Sequence, residues 1–158
     1  MNTLKRICIH WTAGGARANA VERQHYHFIV EATGNIVEGV HKPEANIAPL
    51  ARKAYAQHCG GGNSNTIGVA VAGRGETITA VSMEATFKLV AELCKRYNID
   101  ITPETVYTHY EFGVRNPRTS SFGKPDISRL VYSPAVDKLK PHEVGEFIRG
   151  KIRWYAQQ

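Results

Sequence analysis

The sequence predicts an α/β fold, a central mixed β-sheet flanked by helices. Three observations lead there. "TIGVAVAG" (Thr66 to Gly73) is a short, β-branched apolar run bounded by asparagine and glycine, the pattern of a buried central strand. From Ser82 to Tyr97 the apolar residues Met83, Phe87, Val90, Cys94 and Tyr97 recur every three or four positions, which is the period of an amphipathic helix. Strand-like and helical segments also alternate along the chain instead of being segregated.

Taken in order, "LKRICIHW" (Leu4 to Trp11) alternates as a strand, with Ile7 and Ile9 facing one way and Cys8 and His10 the other. After the turn-like "TAGG", Asn19 is placed to cap a short helix through Gln24. "HYHFIVEATGNIVEGV" reads as a hairpin turning at Thr33-Gly34-Asn35, so that Tyr26 points away from the face shared by His25 and His27. The segment "HKPEANIAPLARKAYAQHCGGGNSN" has no sustained periodicity and reads as loop, with a single helical turn around Ala51 to Tyr55. Glu84/Lys88 and Glu92/Arg96 decorate the outside of the Ser82–Tyr97 helix as i,i+4 pairs. A strand is expected from Thr105 to Tyr110, then a loop, then a last helix over Pro141 to Tyr155 carrying Val144, Phe147, Ile148, Ile152 and Tyr155. One domain over residues 1–158 is expected, with 131–158 a C-terminal extension ending in a helix, since 158 residues is an ordinary size for a single core.

Composition narrows the function classes. Hydrophobic residues make up 42% and charged residues 22%, which is a globular profile and not a disordered one. No apolar stretch approaches the roughly 20 residues needed to cross a bilayer, so no membrane insertion is expected. "MNTLKRICIHWTAGG" lacks the apolar core of a secretory signal. Three cysteines without CxxC spacing argue against a disulfide framework and for a reducing compartment. The net charge of +6 favours an anionic partner. The basic residues are scattered, however, with no Lys/Arg run interleaved with aromatics, so a nucleic-acid partner is not expected.

Several residue sets could carry chemistry. His10 and His109 each end an expected strand, and with Asp126 they make two imidazoles and a carboxylate, a usual three-ligand set for a catalytic zinc. Taken singly, a strand histidine is more often a satisfied core or surface residue than a ligand. His25 and His27 form a rival metal pair, more simply read as a hydrogen-bonded strand face. Gly60-Gly61-Gly62 lacks any phosphate-binding signature around it and reads as loop. Ser64, Ser120 and Ser121 lack a nucleophile-elbow context.

Four landmarks in order carry a family resemblance: "ICIHWTAG", "HYHFIVEATGNIVEG", "QHCGGGNSNTIGVAVAG" and "THYEF…GKPDI". The chain resembles the zinc-dependent N-acetylmuramoyl-L-alanine amidases, the type 2 amidase family that includes phage endolysins and the peptidoglycan recognition proteins, over about Ile7 to Leu130. The resemblance implies their fold and one zinc ion per chain, with His10, His109 and Asp126 as ligands. It implies that Lys124 is the catalytic lysine, that Tyr26 matches the active-site tyrosine of the phage enzymes, and that His58 and Asn63 lie in a loop lining the substrate groove. Many relatives outside the phage group carry a glutamate base in the strand matching "TIGVAVAG". Here that position is Ala70, which shifts weight to Tyr26.

The activity implied by the resemblance is hydrolysis of the amide between N-acetylmuramic acid and L-alanine in peptidoglycan, with Lys124 helping to hold the tetrahedral oxyanion. The chain is expected to act as a monomeric, bacteriolytic phage endolysin, made in the host cytoplasm without a signal peptide or separate wall-binding domain and acting on the wall after release. The competing expectations are a cytoplasmic amidase that recycles soluble muropeptides and a peptidoglycan-binding module without activity.

Overall fold

The computed structural model describes residues 3–158. The strands are β1 (Arg6–Trp11), β2 (Phe28–Val30), β3 (Ile36–Glu38), β4 (Thr66–Val71) and β5 (Val106–Thr108), in the spatial order β3-β2-β4-β1-β5. β4 occupies the centre, as its apolar run requires. β1 runs parallel to β4 and β5, and β2 parallel to β4; β3 alone is antiparallel, closing the hairpin with β2. The hairpin turns through Gly34 at φ +91°, a left-handed value that glycine adopts without steric cost.

The helices are α1 (Ala20–His25), α2 (Ala80–Tyr97), α3 (His109–Arg115), α4 (Pro134–Asp137) and α5 (Pro141–Ala156). Asn19 caps α1 through a reciprocal bond pair with Glu22, and Thr79 caps α2 by accepting from the Ser82 N–H. α2 ends at Asn98 in the left-handed region.

Strand alternation sorts the sheet into two faces. Ile7, Ile9 and Trp11 of β1, Ile67, Val69 and Val71 of β4, and Val106 of β5 join Met83, Phe87, Val90 and Leu93 of α2 and Val144, Ile148 and Ile152 of α5 in one core. Each such side chain, fully buried, contributes roughly 1.5–3 kcal/mol. The opposite face carries Cys8, His10, Gly68, Ala70 and Tyr107. There Cys8, Cys59 and Tyr107, with Phe112 against them, form a small second cluster. One face therefore holds the fold together, and the other is left for polar residues.

Four expectations need correction, the last of them the partner of Glu84. The strand expected to reach Tyr110 stops at Thr108, because Thr108 and Glu111 form a capping box that starts α3 at His109 (Thr108 N–H to Glu111 Oε1 3.0 Å, Glu111 N–H to Thr108 Oγ1 3.1 Å). His25 closes α1 and Tyr26 is its C-cap, so neither lies in a strand and the His25/His27 face does not exist. Ala51–Tyr55 forms turns only, with Lys53 at φ +63°, which no right-handed helix accommodates; the helical turn of this segment is a 3₁₀ turn at Pro43–Asn46.

Glu84 reaches across to α5 instead of to Lys88, meeting Lys151 Nζ at 3.1 Å and the Tyr155 hydroxyl at 2.5 Å. Arg149 of α5, 4% exposed, donates both Nη atoms to Glu111 of α3 at 2.9 Å each and Nη1 to the Val106 carbonyl at 2.9 Å. This bidentate pair ties α5 and β5 to the helix that begins with His109. Among the described residues, no helix is long and apolar enough to cross a membrane.

Candidate metal centre and active-site cleft

Parallel strands deliver their carboxyl ends to one edge of the sheet, where open α/β folds place their sites. His10 is the penultimate residue of β1, and His109 follows β5 directly. Asp126 arrives from the loop after α3. Its carbonyl accepts the Tyr110 N–H at 3.1 Å, and the next residue, Ile127, is fully buried with φ +55°. A β-branched residue in that region is strained; its buried side chain anchors the turn that sends Asp126 back toward the sheet.

The structure brings these three side chains together. His10 Nδ1 lies 3.1 Å from His109 Nδ1 and 3.2 Å from Asp126 Oδ2, and His109 Nδ1 lies 3.3 Å from the same oxygen. Ligand atoms on a tetrahedral zinc with bonds of about 2.0–2.1 Å stand about 3.3 Å apart. The donor set and its spacing therefore fit a zinc ion. His10 and His109 also form ring contacts, with centroids 4.6 Å apart.

In the metal-free site the three groups influence one another strongly. Burial dominates at His10 and lowers its pKa. At His109 burial acts in the same direction but is outweighed by the hydrogen bonds of Asp126 and Cys59, which carry the pKa up to about 9. Burial alone would raise Asp126, yet the two imidazoles hold it well below the usual carboxylate range. A single proton on His109 is the charge that a metal ion would replace.

The outer nitrogens of His10 and His109 are also engaged. His10 Nε2 meets His58 Nδ1 at 2.9 Å, and His58 Nε2 meets the Thr66 carbonyl at 3.1 Å. His109 Nε2 meets Ser121 Oγ at 2.9 Å, and that hydroxyl donates to the Gly60 carbonyl at 2.7 Å. The His58 ring lies against Gly68: a Cβ there would stand 2.5 Å from the ring, so the strand needs glycine at this point. Gly113 likewise lets the Ser121 carbonyl approach α3 to 2.2 Å of where a Cβ would be, seating Ser121 beside His109. Burial pushes the His58 pKa well below its ordinary value, which keeps the ring neutral. Cys8, His10 and His58 form a second close triple. Both ring nitrogens of His58 are already engaged, by His10 Nε2 and by the Thr66 carbonyl, and burial raises the Cys8 thiol, so this triple fits a metal less well.

His109 and Asp126 open into a cleft of about 430 Å³ that Trp11, Tyr26, His58, Asn63 and Lys124 also line, with His10 buried beside it. Lys124 is exposed, and its ammonium makes no ion pair among the described residues. The Tyr26 ring centre is 5.2 Å from that of His10, and burial pushes its phenol well above the ordinary range. Asn63 Oδ1 accepts the backbone N–H groups of His58 and Cys59 at 2.9 and 2.8 Å, shaping the cleft wall from within. Ala70 is in register with His10 and buried, so β4 places no carboxylate beside His10, His109 and Asp126. His25 Nδ1 bonds the Gln57 carbonyl, while His27 is buried between Asn46 Oδ1 (2.8 Å) and the Gly68 N–H (2.9 Å); neither belongs to the metal centre. A larger hollow of about 560 Å³ lies at the C-terminal ends of α2 and α5 and lacks a comparable convergence of groups.

Ser121 stands out in the sequence only as a possible nucleophile, and its contact with His109 is visible only in the fold. The capping box that places His109 is legible as Thr-x-x-Glu in "THYE".

The sequence profile of the N-acetylmuramoyl-L-alanine amidases matches residues 1–124. No curated protein matches the chain in sequence. Solved structures share its fold. The N-acetylmuramoyl-L-alanine amidase LysC from Clostridium intestinale is 17% identical, with 96% of this chain and 87% of that one covered at a TM-score of 0.56. The endolysin amidase LysCS from the same organism is 18% identical, with 76% and 79% covered at 0.51. The hydrolase AmiA from Staphylococcus aureus is 16% identical, with 98% and 73% covered at 0.59.

Proposed function

Since the chain belongs to the N-acetylmuramoyl-L-alanine amidase family, we propose that it is a zinc-dependent hydrolase of the amide between the lactyl group of N-acetylmuramic acid and L-alanine in peptidoglycan. The observation that carries this reading is the convergence of His10 Nδ1, His109 Nδ1 and Asp126 Oδ2 within 3.3 Å beside a cleft that His109 and Asp126 line.

A zinc ion held there supplies Lewis acidity toward the amide carbonyl and lowers the pKa of a water toward about 7. The chain's own groups do the rest. The unpaired ammonium of Lys124 stabilises the oxyanion as the carbonyl becomes tetrahedral. The phenol of Tyr26, which burial keeps protonated, orients the water or donates toward the departing amine. Asn63 holds the wall of the cleft, and His58 lies beneath it.

The setting we infer is that of a phage-type endolysin, made in a bacterial cytoplasm and released to the wall, where a net charge of +6 draws the protein to an anionic envelope. The shared fold with LysCS, named as an endolysin, supports this reading. Purified cell walls test it: the expected products are new L-alanine amino termini without new reducing sugar ends. New reducing ends would assign a glycosidase instead. Faster cleavage of soluble muropeptides than of intact wall would favour a recycling enzyme.

A further inference from the structure

We propose that His58 and Ser121 are positioning residues that fix the ring tautomers of His10 and His109, so that both Nδ1 lone pairs meet at Asp126. The inference rests on the zinc reading of this site and deepens it.

Donors and acceptors must alternate along each chain of contacts. The Thr66 carbonyl can only accept, so the hydrogen of His58 sits on Nε2, 3.1 Å away. His58 Nδ1 is then a lone pair, and the 2.9 Å contact to His10 Nε2 requires the hydrogen to lie on the His10 nitrogen. That leaves His10 Nδ1 as a lone pair facing Asp126. The second ligand is fixed by the same logic through different chemistry. The single hydrogen of Ser121 Oγ is committed to the Gly60 carbonyl at 2.7 Å, so toward His109 the hydroxyl accepts, and His109 Nε2 carries the hydrogen at 2.9 Å. Its Nδ1 is thereby the atom offered to a cation.

Each chain ends on a backbone carbonyl of a different segment, Thr66 on β4 and Gly60 in the preceding loop. The tautomers are thus set by the backbone through one intervening side chain, and partners of this kind orient metal-bound histidines generally. Without His58, the His10 hydrogen is better placed on Nδ1, where Asp126 Oδ2 accepts it at 3.2 Å. In that tautomer the ligand atom is blocked.

The test compares the full-length protein with His58→Leu, His58→Asn, Ser121→Ala and Ser121→Thr. Zinc affinity is measured by chelator competition, and the His10 tautomer by ¹⁵N imidazole shifts in the metal-free protein. Asparagine retains an acceptor where Nδ1 lies, and threonine retains the hydroxyl. His58→Leu and Ser121→Ala are expected to weaken zinc binding roughly 10- to 100-fold, with His58→Asn and Ser121→Thr near wild type. In His58→Leu the His10 hydrogen is expected to move from Nε2 to Nδ1. Unchanged zinc affinity in Ser121→Ala and His58→Leu overturns the proposal, as does an unchanged His10 tautomer in His58→Leu. Should His58→Leu not fold, Ser121→Ala against Ser121→Thr decides the matter alone. A wild-type protein that takes up no zinc defeats the metal reading instead, and the tautomer measurement still decides this inference.

Discussion

His10 on β1 lies in register with Ala70 on β4, so the two side chains leave the same face of the sheet side by side. A methyl group therefore stands beside His10 on the central strand, at the position where the family resemblance would lead one to look for a glutamate. The groups left to handle protons are those lining the cleft, among them Tyr26, whose ring lies 5.2 Å from that of His10. Burial raises its pKa, so it acts as a phenol and not as a phenolate. Tyr26→Phe is expected to lower kcat about a hundredfold, within the usual range for a positioned proton donor, while zinc content and the folded structure stay unchanged. Retention of full wall-hydrolysing activity would remove Tyr26 from the mechanism.

Lys124 shares the cleft with Asp126 and carries no competing anion among the described residues. Loss of one preorganised donor to an oxyanion typically costs about a hundredfold or more in rate. Lys124→Ala should show that loss in kcat with stoichiometric zinc retained. A variant that loses zinc together with activity would instead assign Lys124 to the integrity of the site.

Metal uptake should release protons. With the His109 pKa raised to about 9, its ring carries a proton at pH 7 that zinc must displace. Lowering the pH below about 9 strengthens the competitor, so apparent zinc affinity should fall by up to tenfold per pH unit there and level off above it. Calorimetry at pH 7 in buffers of different ionisation enthalpy should count about one proton released per zinc. No proton release and a flat affinity profile from neutral pH up to about 9 would contradict the raising of the His109 pKa by Asp126 and Cys59.

His27 makes a separate statement about stability. Burial lowers its pKa to about 4, whereas in the unfolded chain it titrates near 6.5. Between those values the unfolded state binds a proton that the native state does not, so stability falls as the pH drops from about 6.5 toward 4. The full loss is on the order of 3 kcal/mol. Urea midpoints across that range should show the slope in the wild type and a weaker slope in His27→Gln. Equal slopes would exonerate His27.

Much of the fold is legible in the sequence because it is local. The stripe from Met83 to Tyr97 and the Thr33-Gly34-Asn35 turn each declare themselves within a few residues, and the apolar run of Thr66 to Gly73 marks the sheet centre. The site is partly legible for a different reason: His10, His109 and Asp126 stand out by residue type and by their place in a family pattern. The remainder depends on contacts between distant segments. Nothing near Ser121 announces that it meets His109 across the loop, and nothing near His58 announces the Thr66 carbonyl. Alternation alone would carry a strand through His109, but the exchange of hydrogen bonds between Thr108 and Glu111 turns the backbone into a helix at that residue. That exchange is itself held in place by Arg149, from α5.

Mass spectrometry of the products released from purified peptidoglycan, with and without a zinc chelator and after zinc is restored, tests the central claim most directly. The account predicts free stem peptides beginning with L-alanine and glycan strands bearing intact lactyl groups, lost on chelation and recovered with zinc. Release of those products undiminished by chelation, or cleavage only at another bond, would contradict it.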